Sequence, residues 1–268
     1  ADMDAIMKVA ERYNLPIIED CAHAHGSEWK GARVGAIGHA GGFSLMAGKS
    51  LAGGEGGIIL TNHDDVREKL YAYMDMGRWT GRPDKSARLD TTSNFRMPEW
   101  TAAILCEQLK RMDEQVETRE RNFTYLAEGL KEIDGVEPFK RDPRVTRWSI
   151  YYWNFRYIQE KFDDVPRDKF LQAVNAEGAP IGVGAHGAPV YQNTLFQSMT
   201  AGNTFPIKCP TYDKPIDYTK VHCPEAERIY QKEALSIAHP HFLGEREDMD
   251  LILEAIRKVR ANTDELRK

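Results

Sequence analysis

The stretch Phe43-Ser44-Leu45-Met46-Ala47-Gly48-Lys49-Ser50-Leu51-Ala52-Gly53-Gly54-Glu55-Gly56-Gly57 decides how this chain is read. A single lysine, Lys49, stands in a run of glycines and alanines. Small residues let backbone and ligand approach closely, because no side chain intervenes. A lysine enclosed in such a pocket is desolvated, which favours the neutral, nucleophilic amine. The same composition also describes a glycine-rich surface turn with an exposed lysine, so the flanking sequence has to decide.

On either side, residues 40–45 and 58–61 read as strands, the second buried, which makes the lysine stretch a tight connection between them. Upstream, Asp2 caps a helix over 3–13 whose apolar face is Ile6, Val9, Ala10 and Tyr13, ended by Asn14. Residues 16–20 then predict a short buried strand finishing in Glu19 and Asp20. Helix, loop and strand in that order are half of an α/β unit in a parallel sheet. Ligands of such sheets collect at the carboxyl ends of the strands. Asp20 stands at such an end, followed by Cys21-Ala22-His23-Ala24-His25-Gly26, and residues 27–38 read as loop with short extended pieces.

Downstream, residues 64–76 form a helix. The polar segment 77–92, with Arg78, Arg82, Lys85 and Arg88, reads as a solvated loop, a flap or a subunit contact. Ser93-Asn94-Phe95-Arg96-Met97-Pro98 heads a long helical pattern that ends near Gly135, with a break expected at 111–116. Arg96 reads as structural, paired with a nearby carboxylate. The rhythm then changes. Strands are expected at 136–139, 149–158 and 180–183, and helices at 164–177, 224–235 and 245–261. Residues 236–241 read as a short extended piece. The irregular stretch 185–223, which contains His186, suits a substrate entrance. Two domains follow, at 1–133 and 134–268.

Composition narrows the function classes. The 268 residues are 41% hydrophobic and 29% charged, with a formal charge of −5 from 36 basic and 41 acidic side chains. Nothing in that balance suggests a nucleic-acid or membrane-surface partner. No apolar run approaches the roughly 20 residues that span a bilayer. The first residues show neither a signal peptide nor an initiator methionine. Four cysteines without a C-x-x-C pair point to a reducing cytoplasm. Cys209, His222, Cys223, His239 and His241 fit no standard zinc spacing, so no metal is expected.

Asp20 and Lys49 taken together suggest a chemistry. Pyridoxal 5'-phosphate requires a lysine for its aldehyde and a carboxylate that keeps its pyridine nitrogen protonated. The motifs Ile18-Glu19-Asp20-Cys21-Ala22-His23-Ala24-His25-Gly26, Gly42-Phe43-Ser44 with Lys49, Gly54-Glu55-Gly56-Gly57 and Asn94-Phe95-Arg96-Met97 resemble the DegT/DnrJ/StrS family of sugar and cyclitol aminotransferases. Cys223-Pro224-Glu225-Ala226-Glu227 and His239-Pro240 extend the resemblance over essentially the whole chain.

The resemblance implies a fold type I PLP-transferase, a homodimer, with a partial large α/β domain and a small C-terminal α+β domain. It implies that Lys49 binds the cofactor aldehyde, Asp20 the ring nitrogen, His23 the ring hydroxyl or face, and Ser44 the phosphate. Asn94 would reach the phosphate of the neighbouring subunit. Glutamate or glutamine would donate the amino group, and a keto-sugar or keto-cyclitol would accept it. Lys49 argues against the dehydratases of the family, which carry His there. The resemblance also implies that the N-terminal third of the family's chain precedes Ala1, with a phosphate-binding turn and a ring-stacking aromatic, so a fragment is expected. The rival expectations are a non-catalytic dimerisation or regulatory module, and a dehydratase or aminobenzoate-type synthase on the same cofactor.

Overall fold

The computed structural model describes residues 1–78, 92–184, 187–199 and 217–267. Arg82, Lys85, Arg88, His186 and Cys209, considered above, lie outside them. The chain forms two compact units, one of Ala1–Phe123 with Arg141–Tyr151, the other of Thr124–Lys140 with Tyr152–Lys268. A single boundary at 133/134 does not describe this division. Residues 141–151 return to the first unit because Val145–Arg147 pairs there with Glu28–Trp29.

In the first unit, α1 (Met3–Tyr13) begins where Asp2 Oδ1 accepts the Ala5 N–H at 3.2 Å and ends with Asn14 in the left-handed conformation. Three strands make its main sheet: β1 (Ile18–Asp20) runs parallel to β4 (Ala40–Ser44), which pairs antiparallel with β5 (Gly57–Leu60). Between β1 and β4, β2 (Glu28–Trp29) and β3 (Ala32–Arg33) form a small antiparallel ladder, completed by β7 (Val145–Arg147). The strand placements follow the sequence, but the expected burial does not. Ile18 is 78% exposed and Ile59 53%, because side chains project from the faces of a sheet and among the described residues nothing packs closely over these two. Val9 and Tyr13 of α1 are likewise exposed, so the buried side of that helix is narrower than its apolar stripe.

The buried residue of β1 is the carboxylate, Glu19. Glu19 Oε2 accepts the Gly35 N–H at 2.8 Å, and Oε1 accepts those of Ile37 and Gly38 at 2.8 and 2.6 Å. This ties the turn at 35–38 to the sheet. The turn lies so close to β4 that glycine is required at position 41 of that strand, since a Cβ on Gly41 would stand 2.2 Å from the Gly35 Cα. Glu19→Gln puts an amide donor against one of these N–H groups. We expect it to lower unfolding free energy by about 2 kcal/mol, read from urea denaturation.

Two further helices belong to the unit, α2 (Asp64–Met74) and α3 (Glu99–Leu130) as far as Phe123, the last turns of α3 belonging to the second unit. The break expected at 111–116 is absent: α3 is continuous over 32 residues. No glycine or proline occurs between Glu99 and Glu128, and strong helix formers fill the middle.

The second unit is α+β. Its sheet has the order β6 (Val136–Pro138), β8 (Tyr152–Tyr157), β10 (Ala234–Ala238), β9 (Gly182–Val183), with every pairing antiparallel. Trp153, Phe155 and Tyr157 alternate inward along β8 and meet Phe162, Phe170 and Phe242. The Tyr157 hydroxyl donates to the Val165 carbonyl at 2.7 Å, so this buried phenol is satisfied. The helices are α4 (Arg167–Ala176), α5 (Thr194–Met199), α6 (Pro224–Arg228), α7 (Arg246–Ala261) and the single turn α8 (Thr263–Leu266). In α7, Glu245 and Asp248 form a reciprocal capping box. α6 is shorter than its pattern suggests because a wide turn at Ile229–Glu233 leads directly into β10. α5 lies in the stretch expected to be irregular, and β7 has no counterpart among the expected strands.

Candidate active site

The glycine-rich loop between β4 and β5 is fastened rather than loose. Backbone bonds close its stem, with Leu45 N–H to the Gly56 carbonyl at 2.9 Å and Gly53 N–H to the Leu45 carbonyl at 2.8 Å. Leu45 and Leu51, on either side of Lys49, are buried against Leu105 of α3, with Met97 and Met112 beside them. Two apolar anchors six residues apart leave the segment between them as an arch, and Lys49 is on it. The Lys49 N–H bonds the Met46 carbonyl at 2.9 Å. The lysine is half-buried, not enclosed, with Nζ 4.3 Å from the centroid of the Tyr151 ring.

The opposite wall comes from the chain leaving β1. Asp20 is paired in register with Gly42, and the Cys21 N–H continues the ladder to the Gly42 carbonyl at 2.8 Å. Asp20 and Ser44 therefore stand at the carboxyl ends of adjacent parallel strands, and the arch carrying Lys49 begins directly after Ser44. The Asp20 carboxylate is exposed, and its Oδ1 accepts the Ala22 N–H at 3.1 Å. The His23 ring lies 4.3 Å from the Tyr151 ring, so one tyrosine touches both His23 and Lys49. Ser44 Oγ is 3.5 Å from the Met46 amide nitrogen.

Asn94 is exposed and uses its Oδ1 to accept the Arg96 N–H at 3.1 Å. Among the described residues no hydrogen bond or ion pair joins it to Lys49. Arg96 pairs with Asp75, the structural role expected of it. Cys21 is no rival nucleophile: burial, with Glu19 and Asp20 adding, pushes its thiol up to about 11. Among the described residues no group of three or more His, Cys, Asp or Glu is arranged to hold a metal. A cleft of about 420 Å³, lined by Met7, Ala10, Glu11, Asn14, Leu15, Pro16 and His39, opens at the amino end of β1, away from this chemistry.

Two residues of the site went unassigned in the sequence. Tyr151 falls within the strand expected at 149–158, and nothing local marks it. His25 sits inside a recognised motif, and its one signal is the spacing of two from His23. It is 2% exposed. Its Nε2 is 2.7 Å from the Ser44 carbonyl oxygen and its Nδ1 3.4 Å from Ser50 Oγ. Burial holds its pKa below the ordinary 6.5, with Lys49 and His23 pushing the same way and the Ser44 bond opposing. The folded state thus keeps a neutral ring while the unfolded chain takes up a proton near pH 6.5. Its contribution to stability is present above that pH and is lost as pH falls below it. We expect the drop in urea midpoint from pH 7.5 to 5 to be smaller in His25→Gln than in the wild type.

Fold and site define a class: an α/β domain offering one lysine at the carboxyl ends of its strands, followed by an α+β unit. The chain belongs to the DegT/DnrJ/EryC1/StrS aminotransferase family, whose model matches residues 1–257. A Micromonospora echinospora protein with the provisional name L-glutamine:3-amino-2,3-dideoxy-scyllo-inosose aminotransferase is 37% identical over 268 residues, covering 100% of this chain and 64% of its own. The L-glutamine:2-deoxy-scyllo-inosose aminotransferase of the same organism is 34% identical over 276 residues, with the same coverage of 100% and 64%. Among solved structures, 3-amino-5-hydroxybenzoic acid synthase superposes with a TM-score of 0.77 at 28% identity, over 97% of this chain and 64% of that one. The chain thus spans 64% of the length of the relatives it matches. No helix among the described residues is long and apolar enough to cross a membrane.

Proposed function

We propose that this chain carries the lysine side of a pyridoxal 5'-phosphate aminotransferase site that moves an amino group from L-glutamine to a keto-cyclitol. One observation carries the reading: Lys49 arches from the carboxyl end of β4, next to the strand end that bears Asp20. The residues present fit the cofactor. Lys49 and Asp20 form no ion pair among the described residues, and Asp20 Oδ2 accepts no hydrogen bond from them. A Cβ built on Gly42, the register partner of Asp20, meets nothing within 4 Å, so the floor between the two strand ends is open.

Lys49 would take the aldehyde, Asp20 the ring nitrogen, His23 the ring hydroxyl or face, and Ser44 the phosphate. Asn94, exposed and bonded through Oδ1 to the Arg96 N–H, would serve a second copy in a homodimer. When bound, the cofactor supplies a ring that accepts electrons from the carbon losing its proton. Asp20 would keep the ring nitrogen protonated, because a carboxylate beside it favours the charged form. Once the donor's own amine has displaced it from the aldehyde, the freed Lys49 Nζ would take the proton from the α-carbon of the donor and return it at the neighbouring carbon. Glutamine as donor and a keto-cyclitol as acceptor are the substrates in the names of the relatives above. We place the reaction in the cytoplasm on cysteine usage.

The test supplies pyridoxal phosphate, L-glutamine and a scyllo-inosose, and follows the acceptor by mass spectrometry. Amine gain on the acceptor supports the reading. An aromatised or dehydrated product, or an unchanged acceptor, overturns it, the last in favour of a non-catalytic module.

A further inference from the structure

We propose that His25 is the positioning residue of the lysine arch, bonding the backbone before Lys49 and the side chain after it so that the amine is presented in one orientation. The inference rests on the reading of Lys49 as the reactive amine. The Ser44 carbonyl can only accept, so His25 Nε2 carries the hydrogen and donates it across 2.7 Å. Because burial keeps the ring neutral, that leaves Nδ1 as an acceptor for the Ser50 hydroxyl, 3.4 Å away. The neutral ring is thus in a defined tautomer, and it grips the arch at Ser44 and Ser50, on both sides of Lys49.

The other anchors do not give this direction. Leu45 and Leu51 hold the arch against Leu105 through apolar contact, which resists extraction but is not directional. Stem bonds at Leu45, Gly53 and Gly56 fix its base. A hydrogen bond aligned to a carbonyl, made by a side chain that is itself buried, fixes rotation about that base. Two residues earlier, His23 lies against Tyr151, the ring that Lys49 Nζ also touches. Residues 23–25 therefore flank the lysine on two sides, His23 through the tyrosine and His25 through the arch.

The experiment compares the full chain with His25→Leu, which fills the space without hydrogen bonds, and His25→Gln, which retains a donor for Ser44. Ring nitrogen NMR comes first: a hydrogen on Nε2 and none on Nδ1 is expected, and the reverse overturns the proposal. Amide hydrogen exchange over residues 45–56 should speed up about 10-fold in His25→Leu, with β1 and β4 unchanged, and return toward wild type in His25→Gln. Reductive trapping of pyridoxal phosphate on Lys49 by borohydride should slow by a similar factor in His25→Leu and recover in His25→Gln, with unchanged final stoichiometry.

Unaltered exchange and trapping in His25→Leu overturn the proposal. Should His25→Leu fail to fold, Ser50→Ala removes one arm alone. Faster exchange at 49–52 then supports the clamp, and unchanged exchange refutes it. Absence of any trapping in the wild type would instead defeat the Lys49 reading, while NMR and exchange still judge His25.

Discussion

Lys49→Ala is expected to lower the rate of amino transfer by at least about 10³-fold while leaving the fold in place. The rate loss follows from the two tasks assigned to one amine, attack on an aldehyde and proton transfer between carbons. General acid–base help alone is worth about 10²–10⁴-fold, and loss of a nucleophile generally costs more. The fold survives because Lys49 is half-buried and its one described side-chain contact is the face of Tyr151. Unfolding free energy should shift by no more than about 0.5 kcal/mol. Borohydride treatment with pyridoxal phosphate should label the wild type at Lys49 and leave Lys49→Ala unlabelled. Lys49→Arg should fail equally, since a guanidinium stays charged and cannot act as the nucleophile. Full activity in Lys49→Ala would show that another group does the chemistry.

Asp20→Asn should come second, with kcat reduced by about 10²–10³-fold, the usual cost of deleting one preorganised charge-stabilising group. This substitution is chosen because the oxygen that accepts the Ala22 N–H is retained, so the turn after β1 keeps its local bond. Only the charge is removed. Without it the ring nitrogen loses its reason to hold a proton, and the electron-accepting power of the ring falls. The loss should appear in kcat far more than in the KM for glutamine, because Asp20 is assigned to the ring and not to the donor. Rapid-mixing measurement of the donor half-reaction would locate the defect. A variant that runs at the wild-type rate would show that Asp20 is a turn residue and nothing more.

Much of this was legible before the structure. The helix over Met3–Tyr13, its Asp2 cap and the strand–arch–strand unit around Lys49 follow from patterns of a few residues. Burial was less legible. Ile18, Ile58 and Ile59 have strand-core composition, yet they sit on edge strands with exposed side chains. The length of the helical pattern suggests a break within α3, yet the helix is continuous, as the lack of glycine and proline through its middle allows.

The amino-acid sequence by itself determined the chemistry on offer: one lysine among small residues, one aspartate at a strand end, and motifs in the order of an aminotransferase family. Those are local facts of residue type and spacing. Only the tertiary structure decided what surrounds the amine. Tyr151 reaches Lys49 and His23 because residues 141–151 return to the first unit, where Ser27 and Ser149, 122 positions apart, share hydrogen bonds. His25 turns inward to the arch while His23 lies against the tyrosine. Side-chain direction at a strand end is set by neighbouring strands and packed helices, and no short-range pattern encodes it.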